Sequence, residues 1–136
     1  ALIGEAIVIN NTKLQEDFEY HLKQKGAMLS KGRLLGIQFQ ELLKDDLYFE
    51  LAEYANRQAM KIKDAFEETG CDWWAETFTN QIFPILENKK IEELRQKFDF
   101  YTWRSIDENH SAVRIITSWA TKEEHVKSFI EEIKKL

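Results

Sequence analysis

A change of pattern at Gly70 constrains the fold of this chain more than any other feature of its sequence. Before Gly70, apolar residues recur every three or four positions, as they do along one face of an α-helix. After Gly70, alternating and β-branched apolar stretches typical of strands appear between shorter helical patterns. The change predicts a helical first half and a second half in which helices cover a small sheet, which is an α+β fold.

Helices dominate the predicted first half. Thr12 and Gln15 have the spacing of a capping box, so the first helix is expected from residue 12 to about residue 25. A second helix is expected over residues 34–43 and a longer one over residues 46–69, with Gly70 as its natural end. The long helix carries a stripe of apolar residues at helical spacing, namely Leu47, Leu51, Tyr54, Ala55, Ala59, Ile62 and Phe66.

The second half is predicted to follow the order β-α-β-β-α. Strands are expected over residues 77–86, 98–106 and 112–119, with a helix over residues 88–97 between the first two. A polar turn, "DENHS", joins the last two strands. The final helix is expected to begin with a capping box formed by Thr121 and Glu124.

The chain opens with an apolar segment, "IGEAIVI" at residues 3–9, which is predicted to be a short strand. A strand at the very beginning of a chain needs neighbours with which to pair, and few later segments could flank this one. Two interpretations remain open at this point. The segment is either an N-terminal edge strand or a piece of a sheet that belongs to a longer protein.

Composition limits the classes of partner. The chain has 136 residues, 43% of them hydrophobic, which is enough for a packed core. Its net charge of −5 gives no electrostatic basis for binding nucleic acid or an anionic membrane, and no apolar run approaches the ~20 residues that cross a bilayer. The single cysteine, Cys71, suits a reducing compartment. A cytoplasmic protein with no nucleic acid or membrane partner is therefore expected.

Common catalytic and metal-binding patterns are missing from the sequence. The histidines His21, His110 and His125 have no ligand spacing, so no metal site is expected, and His110 is expected to be solvated in its turn. Cys71 has no basic neighbour that would lower its pKa, which argues against a nucleophile. The glycines do not form a nucleotide-binding motif, and no pair of carboxylates stands out.

Two basic features could bind an anion. Lys31 and Arg33, in "LSKGRLLG", stand beside a predicted helix start, where they would form either a phosphate site or an ordinary basic loop. Arg114 lies inside the predicted strand of "SAVRIITSWAT", either as a ligand for a carboxylate or as a solvated or ion-paired edge residue. Trp73 and Trp74 would form a binding platform, or one would lie in the core and the other against a neighbouring domain or subunit.

Several stretches resemble the threonine aldolase and β-eliminating lyase family. They are "GEAIVI" at residues 4–9 and "VRIITSWATKEEHVKSFI" at residues 113–130, with "MLSKGRLLGIQFQELL" and "TNQIFPIL" between them in the family order. The resemblance covers nearly the whole chain, and the arginine strand followed by "TSWAT" is its most specific part. The family consists of fold type I enzymes that depend on pyridoxal phosphate.

The resemblance implies that the chain is the C-terminal part of such an enzyme. Residues 1–45 would be the tail of the large cofactor-binding domain, with its last strand and the connecting helices. Residues 46–136 would be the long linking helix and the small α+β domain. The lysine that binds the cofactor is expected upstream of Ala1, so this fragment is expected to contain no catalytic residue, to hold no cofactor and to be inactive alone.

The resemblance also implies roles for individual residues. Arg114 would bind the α-carboxylate of an amino acid substrate, and Lys31 and Arg33 would lie near the cofactor phosphate, across a subunit interface. The intact enzyme would be a homodimer or homotetramer that cleaves a β-hydroxy amino acid such as threonine into glycine and an aldehyde. Two alternatives remain: another fold type I enzyme, such as an aminotransferase or desulfurase, or a standalone α+β module for binding or dimerisation without catalysis.

Overall fold

The computed structural model describes residues 3–136 and divides the chain into two compact units. The first unit extends to Tyr48, and the second comprises Phe49–Leu136. The boundary that the sequence predicts after residue 45 is a different one, between the large and small domains of a longer enzyme. That boundary stays a prediction.

The first unit contains short helices and no buried residue among those described. Its elements are a 3-10 helix at Thr12–Leu14, α1 at Phe18–Gln24 and α2 at Arg33–Leu43. α2 confirms the helix predicted over residues 34–43. The continuous helix predicted from residue 12 is wrong, because Asp17 adopts a left-handed conformation with φ of 54° and separates the 3-10 helix from α1.

The first predicted capping box is also wrong. Asn11 caps the 3-10 helix, and its Oδ1 accepts a hydrogen bond from the Lys13 amide at 3.0 Å. The Gln15 side chain instead donates to the Ile9 carbonyl at 2.8 Å. An asparagine one position earlier therefore takes the capping role that the spacing assigned to Thr12.

Residues 3–9 form no strand in this structure, so the predicted N-terminal strand is wrong for the chain as described. The described part of the first unit offers no strand with which this segment could pair. Gly4 has φ of 96° and lies against α2, where an added Cβ would be 3.3 Å from Leu35. The apolar side chains remain open to solvent, with Val8 83% exposed.

α3, at Leu47–Glu68, confirms the long helix predicted over residues 46–69. Asp45 and Asp46 both have positive φ in the 3-10 turn that precedes it, and Gly70 follows its end with φ of 73°. The buried part of the predicted stripe consists of Ala55, Ala59, Ile62 and Phe66. This face of α3 forms one wall of the hydrophobic core of the second unit.

β5, at His110–Ile116, is the centre of an antiparallel sheet. It pairs on one edge with β2 and β3 and on the other with β4, while β1 pairs with β3. The other strands are β1 at Asp72–Trp73, β2 at Gln81–Ile82, β3 at Pro84–Glu87 and β4 at Tyr101–Ser105. The single strand predicted over residues 77–86 is thus shorter at its start and interrupted at Phe83, before the proline that cannot donate to a ladder.

Two further helices complete the second unit, α4 at Asn88–Arg95 and α5 at Glu123–Ile133. The order β-α-β-β-α and the α+β class are confirmed. The second capping box is wrong, because the Thr121 hydroxyl accepts a hydrogen bond from the Ser118 amide at 2.8 Å, and Lys122 is the N-cap of α5. No helix in the described part of the chain has the length and apolar character needed to span a membrane.

The core lies between one face of the sheet and the helices. It joins residues of α3, α4 and α5 to buried residues of the strands, including Ile82, Leu86, Val113 and Ile115. Thr117, just beyond β5, is buried, and its hydroxyl donates to the Ala55 carbonyl of α3 at 2.6 Å. This hydrogen bond fixes the end of β5 to the long helix, and so fixes the strand that carries Arg114.

Candidate functional site

Arg114 lies on the sheet face opposite the core. Val113 and Ile115, its neighbours along β5, are buried in the core, and successive side chains of a strand point to opposite faces. Arg114 is half-buried, and Ile116, two residues further on the same face, is 44% exposed. The strand therefore holds the arginine on a rigid element with an open approach.

The guanidinium of Arg114 has two described contacts. Its Nε donates to Oε1 of Gln81 at 3.0 Å, and its Cζ lies 5.5 Å from the centroid of the Trp103 ring. Within residues 3–136, no carboxylate forms an ion pair with Arg114, and its two terminal nitrogens donate no hydrogen bond. A cation whose terminal nitrogens lack an acidic partner on the half-buried surface of a sheet is suited to binding an anion.

An aromatic pair lies on one side of this arginine, where Trp103 contacts the guanidinium. The rings of Trp103 and Phe83 pack edge to face, with their centroids 5.3 Å apart. Trp74, which follows β1, forms a second cation–ring contact in the unit, with the guanidinium of Arg104 4.9 Å from its ring. These rings reduce the access of water around the cations, which strengthens an ionic contact made there.

The tryptophan pair is divided as one of the two interpretations predicted. Trp73 packs edge-on against Phe66, with ring centroids 6.4 Å apart, and so belongs to the periphery of the core. Trp74 is 40% exposed. Contact of Trp74 with another domain or subunit stays a prediction.

A cavity of about 190 Å³ borders the end of β5. Its walls come from β4, β5, α3 and α5, and include Tyr101, Ile115, Thr117, Thr121 and His125. Apolar side chains predominate, and Thr121 and His125 add polar groups near the start of α5. The cavity also touches Arg114, although the described contacts of the guanidinium itself are with Gln81 and Trp103.

Lys31 and Arg33 lie in the first unit, at the start of α2. Both are exposed, and neither forms an ion pair within the described part of the chain. Gly32, the N-cap residue, has no side chain with which to cap the helix. The positive end of an 11-residue helix and two cations are compatible with a phosphate group.

Cys71 and His110, two candidates considered from the sequence, lie in surroundings that favour a structural role. Burial, together with the nearby charges of Asp72 and Glu67, raises the pKa of the Cys71 thiol to about 11. His110 is not simply solvated, because its Nδ1 lies 3.0 Å from the Asp107 carboxylate in the β4–β5 turn. Cys71 is therefore unsuited to nucleophilic attack, and His110 stabilises a turn.

No protein-family model matches the chain. Over 134 residues it is 34% identical to the low specificity L-threonine aldolase of Pseudomonas aeruginosa. That alignment covers 97% of the chain and 38% of the aldolase. A second low specificity L-threonine aldolase, from a Pseudomonas species, is 31% identical over the same length and with the same coverage. The solved threonine aldolase of Leishmania major matches with a TM-score of 0.82 and 42% identity, over 86% of the chain and 34% of that structure.

The chain is homologous to threonine aldolases. It spans a little over a third of the length of the threonine aldolases it matches. The predicted resemblance is thus confirmed, and so is the fold that it implied, since the structural match extends over most of the chain. The roles of Arg114, Lys31 and Arg33 in a threonine aldolase stay predictions.

Two residues beside Arg114 were not foreseen from the sequence. Gln81 is 33 positions away from Arg114, and nothing in "TNQIF" marks its side chain as a partner. Trp103 sits where the β4–β5 register shifts, between Thr102 and Arg104, so simple alternation does not give its face. Only the pairing of β2 and β4 with β5 brings these side chains to the guanidinium.

Proposed function

We propose that the intact protein containing this chain is a pyridoxal phosphate-dependent lyase of the threonine aldolase type. It would cleave a β-hydroxy amino acid into glycine and an aldehyde, with Arg114 binding the substrate α-carboxylate. The main support is the homology to threonine aldolases, together with an arginine whose terminal nitrogens have no described partner.

Arg114 would act by orientation. A guanidinium pairs with a carboxylate through two parallel N–H···O bonds, which restrain both the position and the rotation of the bound group. Fixing the carboxylate of an amino acid also fixes the direction of its Cα–Cβ bond, the bond to be broken. Pyridoxal phosphate, when bound, supplies the electron sink that this cleavage needs.

Lys31 and Arg33 would hold the cofactor phosphate. Their support is the unpaired positive charge of both side chains at the start of α2, where backbone N–H groups also favour an anion. We further infer a homodimeric or homotetrameric cytoplasmic enzyme. The 136-residue chain alone is expected to release no aldehyde, because the cofactor-binding lysine is expected outside it.

The test uses the full-length protein that carries this chain, purified with pyridoxal phosphate. Aldehyde release from threonine and other β-hydroxy amino acids is measured, first for the wild type and then for Arg114→Lys. Lysine retains the charge but loses the planar fork, so KM should rise about 10- to 100-fold, the equivalent of one or two lost charge-assisted hydrogen bonds.

Arg104→Lys is the matched control, because Arg104 lies in the same sheet and also stacks on a tryptophan. This control should keep KM within about twofold of the wild type. Failure of the wild type to release aldehyde would refute the lyase assignment. An unchanged KM in Arg114→Lys would refute the carboxylate role alone.

A further inference from the structure

We propose that Gln81 is a positioning residue that sets which edge of the Arg114 guanidinium receives the substrate carboxylate. The inference rests on the proposed carboxylate role of Arg114. It concerns a residue that neither the sequence pattern nor the homology assigns to the site.

A guanidinium can bind a carboxylate bidentately along two kinds of edge. One edge uses the two terminal nitrogens, and the other uses Nε with one terminal nitrogen. In this structure Nε of Arg114 already donates to Oε1 of Gln81 at 3.0 Å. The Nε edge is therefore engaged by the protein, and the edge with both terminal nitrogens is the one that can pair with a carboxylate.

The acceptor oxygen comes from a well-fixed residue. Gln81 lies in β2, where it pairs with Ile116, and its side chain shares the sheet face of Arg114. The adjacent Asn80 strengthens this register, because its carbonyl accepts from the Thr117 amide at 3.0 Å and its side-chain amide donates to the Thr117 carbonyl at 2.7 Å. Strand pairing therefore fixes the backbone from which the Gln81 side chain reaches Arg114.

Trp103 restricts the guanidinium further. Its ring lies 5.5 Å from Cζ of Arg114 and is itself packed against Phe83. Gln81 on one edge and the indole beside the cation together limit rotation of the guanidinium about its terminal bonds. A cation held in this way loses less conformational freedom when a carboxylate binds.

The choice of a neutral acceptor also matters. A glutamate at position 81 would form an ion pair with Arg114 and compete with the substrate for its charge. Glutamine orients the same nitrogen while leaving the full positive charge for the incoming carboxylate. Replacements of Gln81 therefore separate orientation from charge.

The experiment compares Gln81→Leu, Gln81→Glu and Arg114→Lys in the full-length protein with pyridoxal phosphate. Steady-state kinetics with threonine give KM and kcat, and calorimetry gives the affinities for glycine and for glycinamide, which lacks the carboxylate. Gln81→Leu should raise KM about 5- to 10-fold and lower the affinity for glycine by the same factor, while kcat changes by less than about threefold. Gln81→Glu should raise KM more than Gln81→Leu, and neither variant should alter the affinity for glycinamide.

Gln96→Leu serves as the matched control, since Gln96 is an exposed glutamine after α4 whose side chain makes no described hydrogen bond. The positioning role is refuted if Gln81→Leu leaves KM and glycine affinity unchanged while Arg114→Lys raises KM. It is equally refuted if Gln81→Leu lowers the affinities for glycine and for glycinamide by the same factor, which would indicate general distortion of the site. An unchanged KM in Arg114→Lys would instead remove the proposed function on which the inference depends.

Discussion

Replacing Phe129 with alanine should destabilise the second unit by about 3–5 kcal/mol. Phe129 is 5% exposed, and its ring lies 4.7 Å from that of Phe98, 6.1 Å from that of Phe66 and 6.2 Å from that of Phe100. It thus joins α5 to α3 and to the segment that leads into β4. Phe66 is held in α3, and the segment that carries Phe98 and Phe100 is joined to α4 at one end and to β4 at the other. These neighbours therefore cannot collapse fully into the cavity, which places the cost in the usual range for a buried phenylalanine.

Urea unfolding of the 136-residue chain, followed by circular dichroism, measures this cost. With a slope of about 2 kcal/mol per molar urea, the midpoint should fall by about 2 M without a change of slope. Phe129→Leu, which leaves a smaller void, should lose about 1 kcal/mol and keeps the test usable if the alanine variant does not fold. Phe78→Ala is the control, because Phe78 is 71% exposed and should lose less than about 1 kcal/mol. A loss at Phe129 no larger than that at Phe78 would refute the packing described for α5.

Two further predictions concern titratable groups of the second unit. Burial and the nearby acidic charges raise the pKa of Cys71 from 9.0 to about 11, so near pH 8 the folded chain should contain about 100-fold less thiolate than an ordinary cysteine. Alkylation of Cys71 should therefore be at least about 100-fold slower in the folded chain than in the chain unfolded by urea. Equal alkylation rates in the folded and unfolded chain would contradict this. The Asp107 carboxylate accepts hydrogen bonds from the Asn109 and His110 amides, which lower its pKa, so it stabilises the fold above its unfolded pKa and this contribution disappears as the pH falls through the folded value. The difference in melting temperature between wild type and Asp107→Asn should therefore shrink on acidification from pH 7 to about pH 3, and a difference that stays constant would exclude the effect.

Periodicity predicted the helices and the order of strands in the second unit well, because burial against a core imposes it. The apolar spacing from Ala55 to Phe66 is dictated by the face of α3 that packs into the core. In the first unit, which has no buried residue among those described, local chemistry decided instead. Asn11 and Asp17 replaced the predicted continuous helix by two short ones, and residues 3–9 had no strand with which to pair.

The site was predictable only in part, because local sequence patterns do not show which distant segments come together. A charged residue in the apolar run around Arg114 is visible in the sequence, and the family resemblance gave it a role. The surroundings of Arg114 depend on contacts between distant segments. Gln81 reaches Nε through the pairing of β2 with β5, and Trp103 reaches the guanidinium through an irregular register that no spacing rule indicates.

The most direct test of the central claim is a crystal structure of the full-length protein with pyridoxal phosphate and bound glycine. The glycine carboxylate should lie about 2.7–2.9 Å from both terminal nitrogens of Arg114, while Nε remains hydrogen-bonded to Gln81. A carboxylate bound to any other group, with Arg114 left in solvent, would contradict the account.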